Sequence, residues 1–291
     1  MNPYPSNTDH TQQSNITIPG NDFDFTNTSA FTISFWINVA LNTEDQFIMG
    51  NRMNNPTSTH PDDTDHQYIG WEIWRQCLIP GSKTPDRLSI LFCGEPNGWG
   101  GAKGPGLREY YSNDIGNSIG VALDNNGWHH ICFTKSASGM LENTHVKCYV
   151  DGQLINLSLY NRNITGGALQ DFDFRTSNAP SLGGPVNGVA NDFHIGLRNG
   201  DLTGGNNYYG NADFLSDIRI YNYEMDINAI QSLMTLDYFQ TPQLGWWIVG
   251  GPTTNDIDFI RDYSGAGNHG VGRNINWTGY GPKNHKDTIY S

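Results

Sequence analysis

Short segments of the chain alternate apolar and polar residues with period two, which is the pattern of β-strands that bury one face. The alternation is clearest from Phe31 to Val39, where every second residue is bulky and apolar. Two long segments, from Gly94 to about Gly120 and from Asn156 to Asn191, lack this rhythm and are predicted as loops. Strands are predicted at Ser14 to Ile18, Phe31 to Val39, Asp45 to Gly50, Gln67 to Gln76, Arg87 to Cys93, Trp128 to Thr134, His145 to Val150, Phe193 to Leu197 and Asp217 to Asn222.

Two of these segments predict a hairpin. WHHICFTK runs from Trp128 to Lys135, and HVKCYVDGQ runs from His145 to Gln153. Asp151 and Gly152 are residue types that tolerate the positive φ angles of a tight turn, so they are expected to reverse the second strand.

A third segment, Asp213 to Met234, predicts a strand that continues into a short helix. The strand covers Asp217 to Tyr223, and Asp226 is placed to cap the helix that follows. The apolar positions Ile227, Ile230, Leu233 and Met234 have helical spacing.

The elements W-H-H-I, Y-V-D-G and S-D-I-R-I-Y-N resemble, in their order and spacing, laminin-G-like domains of the concanavalin-A-like lectin/glucanase superfamily. The resemblance implies an all-β, concanavalin-A-like jelly-roll β-sandwich of two antiparallel sheets with one short helix near the end. We expect an N-terminal arm over residues 1–14, the laminin-G-like domain over residues 15–240 and a C-terminal extension over residues 241–291. A fold of this class does not fix a ligand.

The C-terminal extension carries a motif in an unusual place. GWWIVGG (Gly245 to Gly251) and DYSGAGNHGVG (Asp262 to Gly272) resemble the opening signature of many laminin-G-like domains, yet here they follow the sandwich. The segment is a strand that closes its own sandwich, a strand donated to a neighbour, or the start of a second domain. About 50 residues are too few to bury a separate core, so packing on the same sandwich is favoured.

Charge and composition narrow the class of partner. The 291 residues carry a net charge of −13, which disfavours a nucleic-acid groove. No apolar run approaches the ~18 residues of a membrane helix, so membrane insertion is not expected. The N-terminal sequence has neither a basic region nor an apolar core and is not read as a secretory signal. Release of the protein inside an assembled particle would explain the lack of a recognisable secretory signal, as would earlier cleavage of a signal.

The four cysteines, Cys77, Cys93, Cys132 and Cys148, form no C-x-x-C pair, which disfavours a zinc ribbon. Cys132 and Cys148 are predicted on neighbouring strands but on opposite faces, where they cannot form a disulfide. Buried thiols are therefore expected.

An enzyme is not expected. Glucanases of the superfamily carry an E-x-D-x-E strand, whose acids share one face, and this chain has no such triplet. Glu72 lies between Trp71 and Trp74 without a second acid at alternating spacing. A degenerate glycoside hydrolase is the least favoured alternative.

Three groups of residues raise the question of a metal site. The resemblance implies a single structural Ca²⁺ on the sandwich edge, with Asp217 as a ligand and Asp22 as a possible partner; the alternative is an Asp217 that only hydrogen-bonds the turn. The HPDDTDH segment, His60 to His66, is favoured as a solvated acidic loop. His129 and His130 are adjacent in a strand and point to opposite faces, so they cannot chelate one ion.

Aromatic residues cluster between residues 67 and 120 of the sequence. Rings with nearby amides and carboxylates are typical of sugar sites, although tryptophan in a sandwich is more often buried, and a protein contact is an equal alternative. The candidate glycan-binding residues are Trp71, Trp74, Trp99, Tyr110 and Tyr111.

The resulting hypothesis is a non-catalytic structural or binding module: a virion surface or assembly protein with lectin-like glycan recognition. The alternative is a dedicated carbohydrate-binding lectin of a cell-surface or secreted system. Expected partners are a glycan or other virion or surface proteins, in a homo-oligomer or lattice. The expected location is a virion or the extracellular surface.

Overall fold

The computed structural model describes residues 15–20, 22–39, 46–54, 68–77, 86–96, 106–112, 115, 123, 127–162, 172–174, 192–196, 214–234, 242–248 and 259–273. The predicted N-terminal arm, the His60 to His66 segment and Trp99 lie outside these residues.

The described strands form two antiparallel sheets, which confirms the predicted all-β jelly-roll β-sandwich. The strands of the larger sheet are β1 (Asn15–Ile18), β3 (Gln46–Gly50), β4 (Met53–Asn54), β5 (Tyr68–Cys77), β6 (Asp86–Pro96), β7 (Gly106–Ser112), β11 (Leu157–Arg162), β12 (Phe172–Asp173), β13 (Phe193–Ile195), β16 (Phe259–Ile260) and β17 (Gly270–Arg273). Those of the smaller sheet are β2 (Phe31–Asn38), β8 (Trp128–Lys135), β9 (Val146–Val150), β10 (Gln153–Ile155), β14 (Phe214–Tyr221) and β15 (Gly245–Trp247). The larger sheet has the order β11-β7-β6-β5-β3-β13-β1-β17-β16, with β12 paired to β6 and β4 to β5. The smaller sheet has the order β10-β9-β8-β2-β14-β15.

The hydrophobic core lies between the two sheets and is rich in aromatic rings. The period-two positions of β2 point inward, because Phe31, Ile33, Phe35 and Ile37 are all fully buried. Trp247 and Phe193 bring the two sheets together, with their ring centroids 5.7 Å apart.

The predicted hairpin forms as expected. Asp151 and Gly152 have φ angles of 48° and 70°, as the turn between β9 and β10 requires. Asp151 also fixes β8, since its carboxylate accepts a hydrogen bond from the His130 backbone N–H at 2.8 Å and contacts His129 Nδ1 at 2.7 Å. His130 Nε2 instead contacts Ser34 Oγ at 2.8 Å, so the two imidazoles have separate structural partners.

The helix α1 (Ile227–Met234) covers part of the outer side of the smaller sheet. Asp226 caps it, because its Oδ1 accepts a hydrogen bond from the Ala229 N–H at 2.9 Å. Within the described part of the chain, no helix is long and apolar enough to cross a membrane.

The cysteines follow the predicted division between faces. Cys132 packs beneath α1, whereas Cys148 lies in the main core, which confirms that they point in opposite directions. The described thiols of Cys93, Cys132 and Cys148 form no disulfide.

The two predicted loops were wrong in part, since each contains a strand. Gly106–Ser112 forms β7 and Leu157–Arg162 forms β11, and the two pair with each other along the edge of the larger sheet. The inward side of β7 includes Arg108, which is buried with only 2% of its surface exposed. A charged residue at an inward position hides the alternation by which a strand is recognised.

The C-terminal segment supplies strands to both sheets. β15 pairs with β14 in the smaller sheet, and β17 pairs with β1 in the larger one. Trp247 closes the core, because its indole N–H donates a hydrogen bond to the Asn268 carbonyl at 2.9 Å. The signature that follows the sandwich in sequence is thus part of the sandwich in this chain.

Candidate functional site

The strand register builds a continuous row of residues across the outer face of the larger sheet, which is the face turned away from the core. The row is exposed at both ends, where Phe259 is 65% and Tyr160 47% exposed, and buried in the middle, where Glu72 is 0% exposed. Its members in order are Phe259, Val271, Thr17, His194, Gly50, Glu72, Leu91, Glu109 and Tyr160. A second row beside it contains Phe47, Trp74, Ser89, Tyr111 and Ser158.

The predicted glycan-binding residues divide between the two faces of this sheet. Trp71 and Tyr110 point into the core and are fully buried. The Trp71 indole donates a hydrogen bond to the Phe23 carbonyl at 2.8 Å, and the Tyr110 hydroxyl donates one to the Met140 carbonyl. Neither ring offers a face to a ligand, so the predicted set does not form one sugar-stacking surface.

Trp74 lies on the outer face, where it helps to close the middle of the sheet. Its indole N–H donates to Glu72 Oε2 at 2.8 Å, and Arg52 Nη1 lies 2.9 Å from the same oxygen. Trp74 also packs with Phe47, Leu91 and Cys93 in a small buried cluster. Glu72 is therefore held between a cation and an indole donor, an arrangement that stabilises a buried carboxylate.

Tyr111 belongs to the accessible end of the outer face, which we call the β6–β7–β11 surface. The Arg87 guanidinium stacks 3.5 Å from the centroid of the Tyr111 ring, and Arg87 Nη2 lies 3.8 Å from Glu109 Oε1. The side chains of Arg87 and Glu109 are 18% and 14% exposed. The surface consists of Arg87, Glu109, Tyr111, Ser158 and Tyr160.

Several buried polar atoms of the outer face lack a hydrogen bond among the described residues. They include Arg87 Nε and Glu109 Oε1 on the β6–β7–β11 surface, and Ser89 Oγ beside it. His194 Nε2 is a fourth, although His194 Nδ1 contacts Thr17 Oγ1 at 3.3 Å. Burial lowers the pKa of His194 to about 4, so this imidazole is neutral at pH 7. Polar atoms of this kind are places where water or a ligand group binds.

Few features of the sequence indicate this surface. Arg87 was expected at the start of a strand, but Glu109 and Tyr111 were expected in one loop and Tyr160 in another. Only the pairing of β7 with both β6 and β11 brings the four side chains together.

The predicted calcium ligands, Asp217 and Asp22, both have hydrogen-bond partners within the protein. Asp217 has a φ of 48° at a bulge in β14, and its Oδ1 accepts hydrogen bonds from Arg219 Nε at 2.8 Å and Trp246 Nε1 at 2.7 Å. Asp22 is exposed and accepts a hydrogen bond from Asn268 Nδ2 at 2.9 Å. A guanidinium beside the carboxylate repels a second cation, so we propose that Asp217 holds Arg219 and Trp246 and does not bind Ca²⁺.

We accordingly expect the thermal stability of the protein to be independent of calcium. Tm measured in about 5 mM CaCl₂ and in excess EDTA should agree within about 1 °C, because only a ligand that binds the folded state raises Tm. Asp217→Asn should lower Tm equally in both solutions, since it weakens the contact with Arg219. A rise of several degrees with calcium that Asp217→Asn removes would show that the carboxylate binds the ion after all.

Comparison with known proteins gives a limited result. No family model and no curated protein matches the chain. Among solved structures, it is similar to a protein from Bacteroides ovatus described as a candidate carbohydrate-binding protein, at 15% identity and a TM-score of 0.47, over 90% of this chain and 58% of that one. It is also similar to a heptameric SAP-like pentraxin from Limulus polyphemus, at 11% identity and a TM-score of 0.40, over 80% of this chain and 86% of that one. Domains LG4-5 of the mouse laminin α1 chain are similar at 14% identity and a TM-score of 0.39, over 75% of this chain and 42% of that one. Similarities this low leave function to be inferred from the residues of this chain.

Proposed function

We propose that this chain is a non-catalytic binding module that recognises a glycan on its β6–β7–β11 surface. The observation that carries the proposal is the combination, on one face, of aromatic rings with the charged groups of Arg87 and Glu109, whose Nε and Oε1 atoms have no hydrogen bond within the described part of the chain. Sugar rings stack their C–H faces on aromatic side chains, and their hydroxyls bind to carboxylate and guanidinium groups. Tyr160 supplies an exposed ring, and Glu109 and Arg87 supply the polar groups.

The arrangement of carboxylates supports binding over catalysis. Glu72 and Glu109 are the acids of the outer-face row, and Leu91 on β6 separates them. Glycoside hydrolysis requires two carboxylates that act together on one bond, one of them as a proton donor. Here Glu72 is buried against Arg52, and Glu109 faces Arg87, so each acid has its own cation. A reducing-sugar assay on β-glucans should therefore detect no product.

The binding proposal is tested with an immobilised glycan array, followed by calorimetry on the best ligand. Tyr160→Ala and Glu109→Gln should each weaken that ligand about tenfold, which corresponds to the loss of one stacking contact or one charge-assisted hydrogen bond. Tyr160 is 47% exposed, so Tyr160→Ala should change Tm little. The Glu109 side chain is only 14% exposed, so the fold of Glu109→Gln is verified by circular dichroism before its affinity is compared.

Leu154→Ala is the matched control, because Leu154 is an exposed apolar residue, 49% exposed, on β10 of the smaller sheet. Its affinity for the glycan should equal that of the unsubstituted protein. The proposal fails if no glycan binds, or if the bound glycan is insensitive to both Tyr160→Ala and Glu109→Gln.

A role as a surface or assembly protein of a virion, or of another extracellular structure, is the second candidate. The observation in its favour is that β16 ends the larger sheet among the described residues and exposes Phe259 there. Edge strands of this kind pair with further strands or copies. Light scattering over a range of protein concentrations should show a defined oligomer, and a monomer at all concentrations would contradict this candidate.

A further inference from the structure

A second exposed aromatic surface lies at the opposite edge of the larger sheet, in the C-terminal segment. From Phe259 onward, burial alternates along the chain: Ile260 and Asp262 are buried, whereas the residues between and beside them are exposed. Phe259 is 65% and Tyr263 43% exposed. We call the exposed residues Phe259, Arg261, Tyr263 and His269 the C-terminal strip.

Arg261 is exposed, and its guanidinium lies 5.2 Å from the centroid of the Tyr263 ring. It makes no ion pair among the described residues. This is unusual in a chain whose net charge is −13, because acidic residues are abundant elsewhere on the protein. A guanidinium stacked on an aromatic ring keeps its edge N–H groups available for a bidentate contact with a carboxylate.

His269 adds a hydrogen-bond donor to the strip. Its Nδ1 accepts a hydrogen bond from the backbone N–H of Asp262 at 3.1 Å, so in the neutral imidazole the proton lies on Nε2. The imidazole also packs against the Phe259 ring, with centroids 5.0 Å apart. The strip thus combines two exposed rings, one guanidinium and one N–H donor.

The backbone beneath the strip is held rigidly. The buried Asp262 carboxylate accepts hydrogen bonds from the backbone N–H groups of Trp246, Ser264 and Asn268 and from the Ser264 hydroxyl, at 2.8 to 2.9 Å. Tyr263 is fixed by its edge contact with Trp246, with centroids 6.1 Å apart. A preorganised surface loses less entropy on binding a ligand.

We propose that the C-terminal strip binds a carboxylated sugar, such as a uronic or sialic acid residue of a glycan. The ring of Tyr263 would contact the sugar ring, and Arg261 beside it would bind the carboxylate. Phe259 lies four residues away and would contact the next sugar unit of the glycan. A neutral sugar is less suited, because the strip has no exposed carboxylate to accept from hydroxyl groups. The site is separate from the β6–β7–β11 surface, because Phe259 and Tyr160 end the same row about 38 Å apart along the sheet, at ~4.8 Å per strand.

Saturation-transfer NMR and calorimetry with D-glucuronate, N-acetylneuraminate and D-glucose test the proposal. At least one of the two acids should bind at least about tenfold more tightly than glucose, and its affinity should fall with added salt. Arg261→Gln should remove this preference, and Arg261→Lys should retain only part of it, because an ammonium lacks the planar fork. Tyr263→Ala should weaken both acids and glucose.

Lys147→Gln is the control, since it removes a cation on β9 of the smaller sheet, outside both surfaces, and should leave binding of the acids unchanged. Circular dichroism of each variant verifies the fold. Equal affinity for glucuronate and glucose, or unchanged binding in Arg261→Gln, would overturn the proposal. A concentration-dependent oligomer that Arg261→Gln dissociates, in protein that binds none of the saccharides, would also overturn it. That result would show that the strip docks on the acidic surface of a second copy. Tyr160→Ala tests only the β6–β7–β11 surface, so a loss of glycan binding in that variant alone does not count against the C-terminal strip.

Discussion

Asp262→Asn is expected to destabilise the protein by about 3 to 5 kcal/mol and to release the C-terminal segment from both sheets. Asp262 is 4% exposed, and its two carboxylate oxygens accept four hydrogen bonds. Two of the donors are the backbone N–H groups of Trp246 on β15 and of Asn268, so one side chain joins the two parts of the C-terminal segment.

The size of the effect follows from the geometry of the amide. An asparagine keeps one oxygen acceptor, but its NH₂ group would face donors that now bind a carboxylate oxygen. Hydrogen bonds to a charged group contribute about 1.5 to 3 kcal/mol each, and a buried donor left without an acceptor costs a further 1 to 3 kcal/mol, approximately. Relaxation of the turn that contains Ser264 should recover part of this loss.

The same variant should also change how the free energy of unfolding depends on pH at acid pH. Burial alone would raise the pKa of Asp262, but the hydrogen bonds from Ser264, Trp246 and Asn268 outweigh it and lower the pKa below its usual 3.8. The contribution to stability is therefore complete above pH 3.8 and is lost as the pH falls through the lower folded-state pKa. Asp262→Asn should show less acid destabilisation than the unsubstituted protein in that range.

Urea denaturation gives the free energy of unfolding, and hydrogen exchange shows which strands open. Protection should fall first in Gly245–Trp247 and Gly270–Arg273. Asp22→Asn is the control, because Asp22 is exposed and an amide oxygen still accepts from Asn268 Nδ2. If Asp262→Asn and Asp22→Asn are equally stable, Asp262 does not anchor the segment.

Much of the scaffold could be predicted because local chemistry agrees with the fold there. The Asp151–Gly152 turn requires residues that accept positive φ, and Asp226 is a preferred residue at a helix N-terminus. The alternation in β2 likewise matches its buried face. In these places the residue type alone indicates the backbone conformation.

The candidate site was harder to predict, because it depends on pairing between distant strands. Trp71 and Trp74 are three residues apart in β5, and Tyr110 and Tyr111 are neighbours in β7, so each pair had to divide between the two faces. Which member faces the core is decided by the partners across the sandwich. Similarly, nothing in the sequence marks the bulge that turns Asp217 toward Arg219 and Trp246, because its positive φ occurs at a residue that is not glycine.

Trp71→Ala is the second large effect that we expect, and it separates a core role for this tryptophan from a role in binding. Trp71 is fully buried and lies within 5.6 Å, by ring centroids, of both Phe25 and Phe193. Truncation of a buried tryptophan to alanine costs about 3 to 5 kcal/mol, from lost packing and the cavity that remains. The Phe23 carbonyl would also lose one of its donors, although Asn51 Nδ2 still donates to it at 3.0 Å.

Trp71→Phe provides the variant that keeps the fold, because phenylalanine retains an aromatic ring and loses only the indole donor and part of the volume. We expect a loss of about 1 to 2 kcal/mol in stability and an unchanged affinity for any glycan bound on the β6–β7–β11 surface. Tyr111→Ala supplies the opposite result, since its ring lies on the outer face under Arg87: affinity should fall while the core stays intact. If Trp71→Phe abolished glycan binding in protein with a native circular dichroism spectrum, the outer face would not be the binding surface. The ligand would then have to reach the core between the sheets, which the packing of Trp71 against Phe25 and Phe193 does not permit.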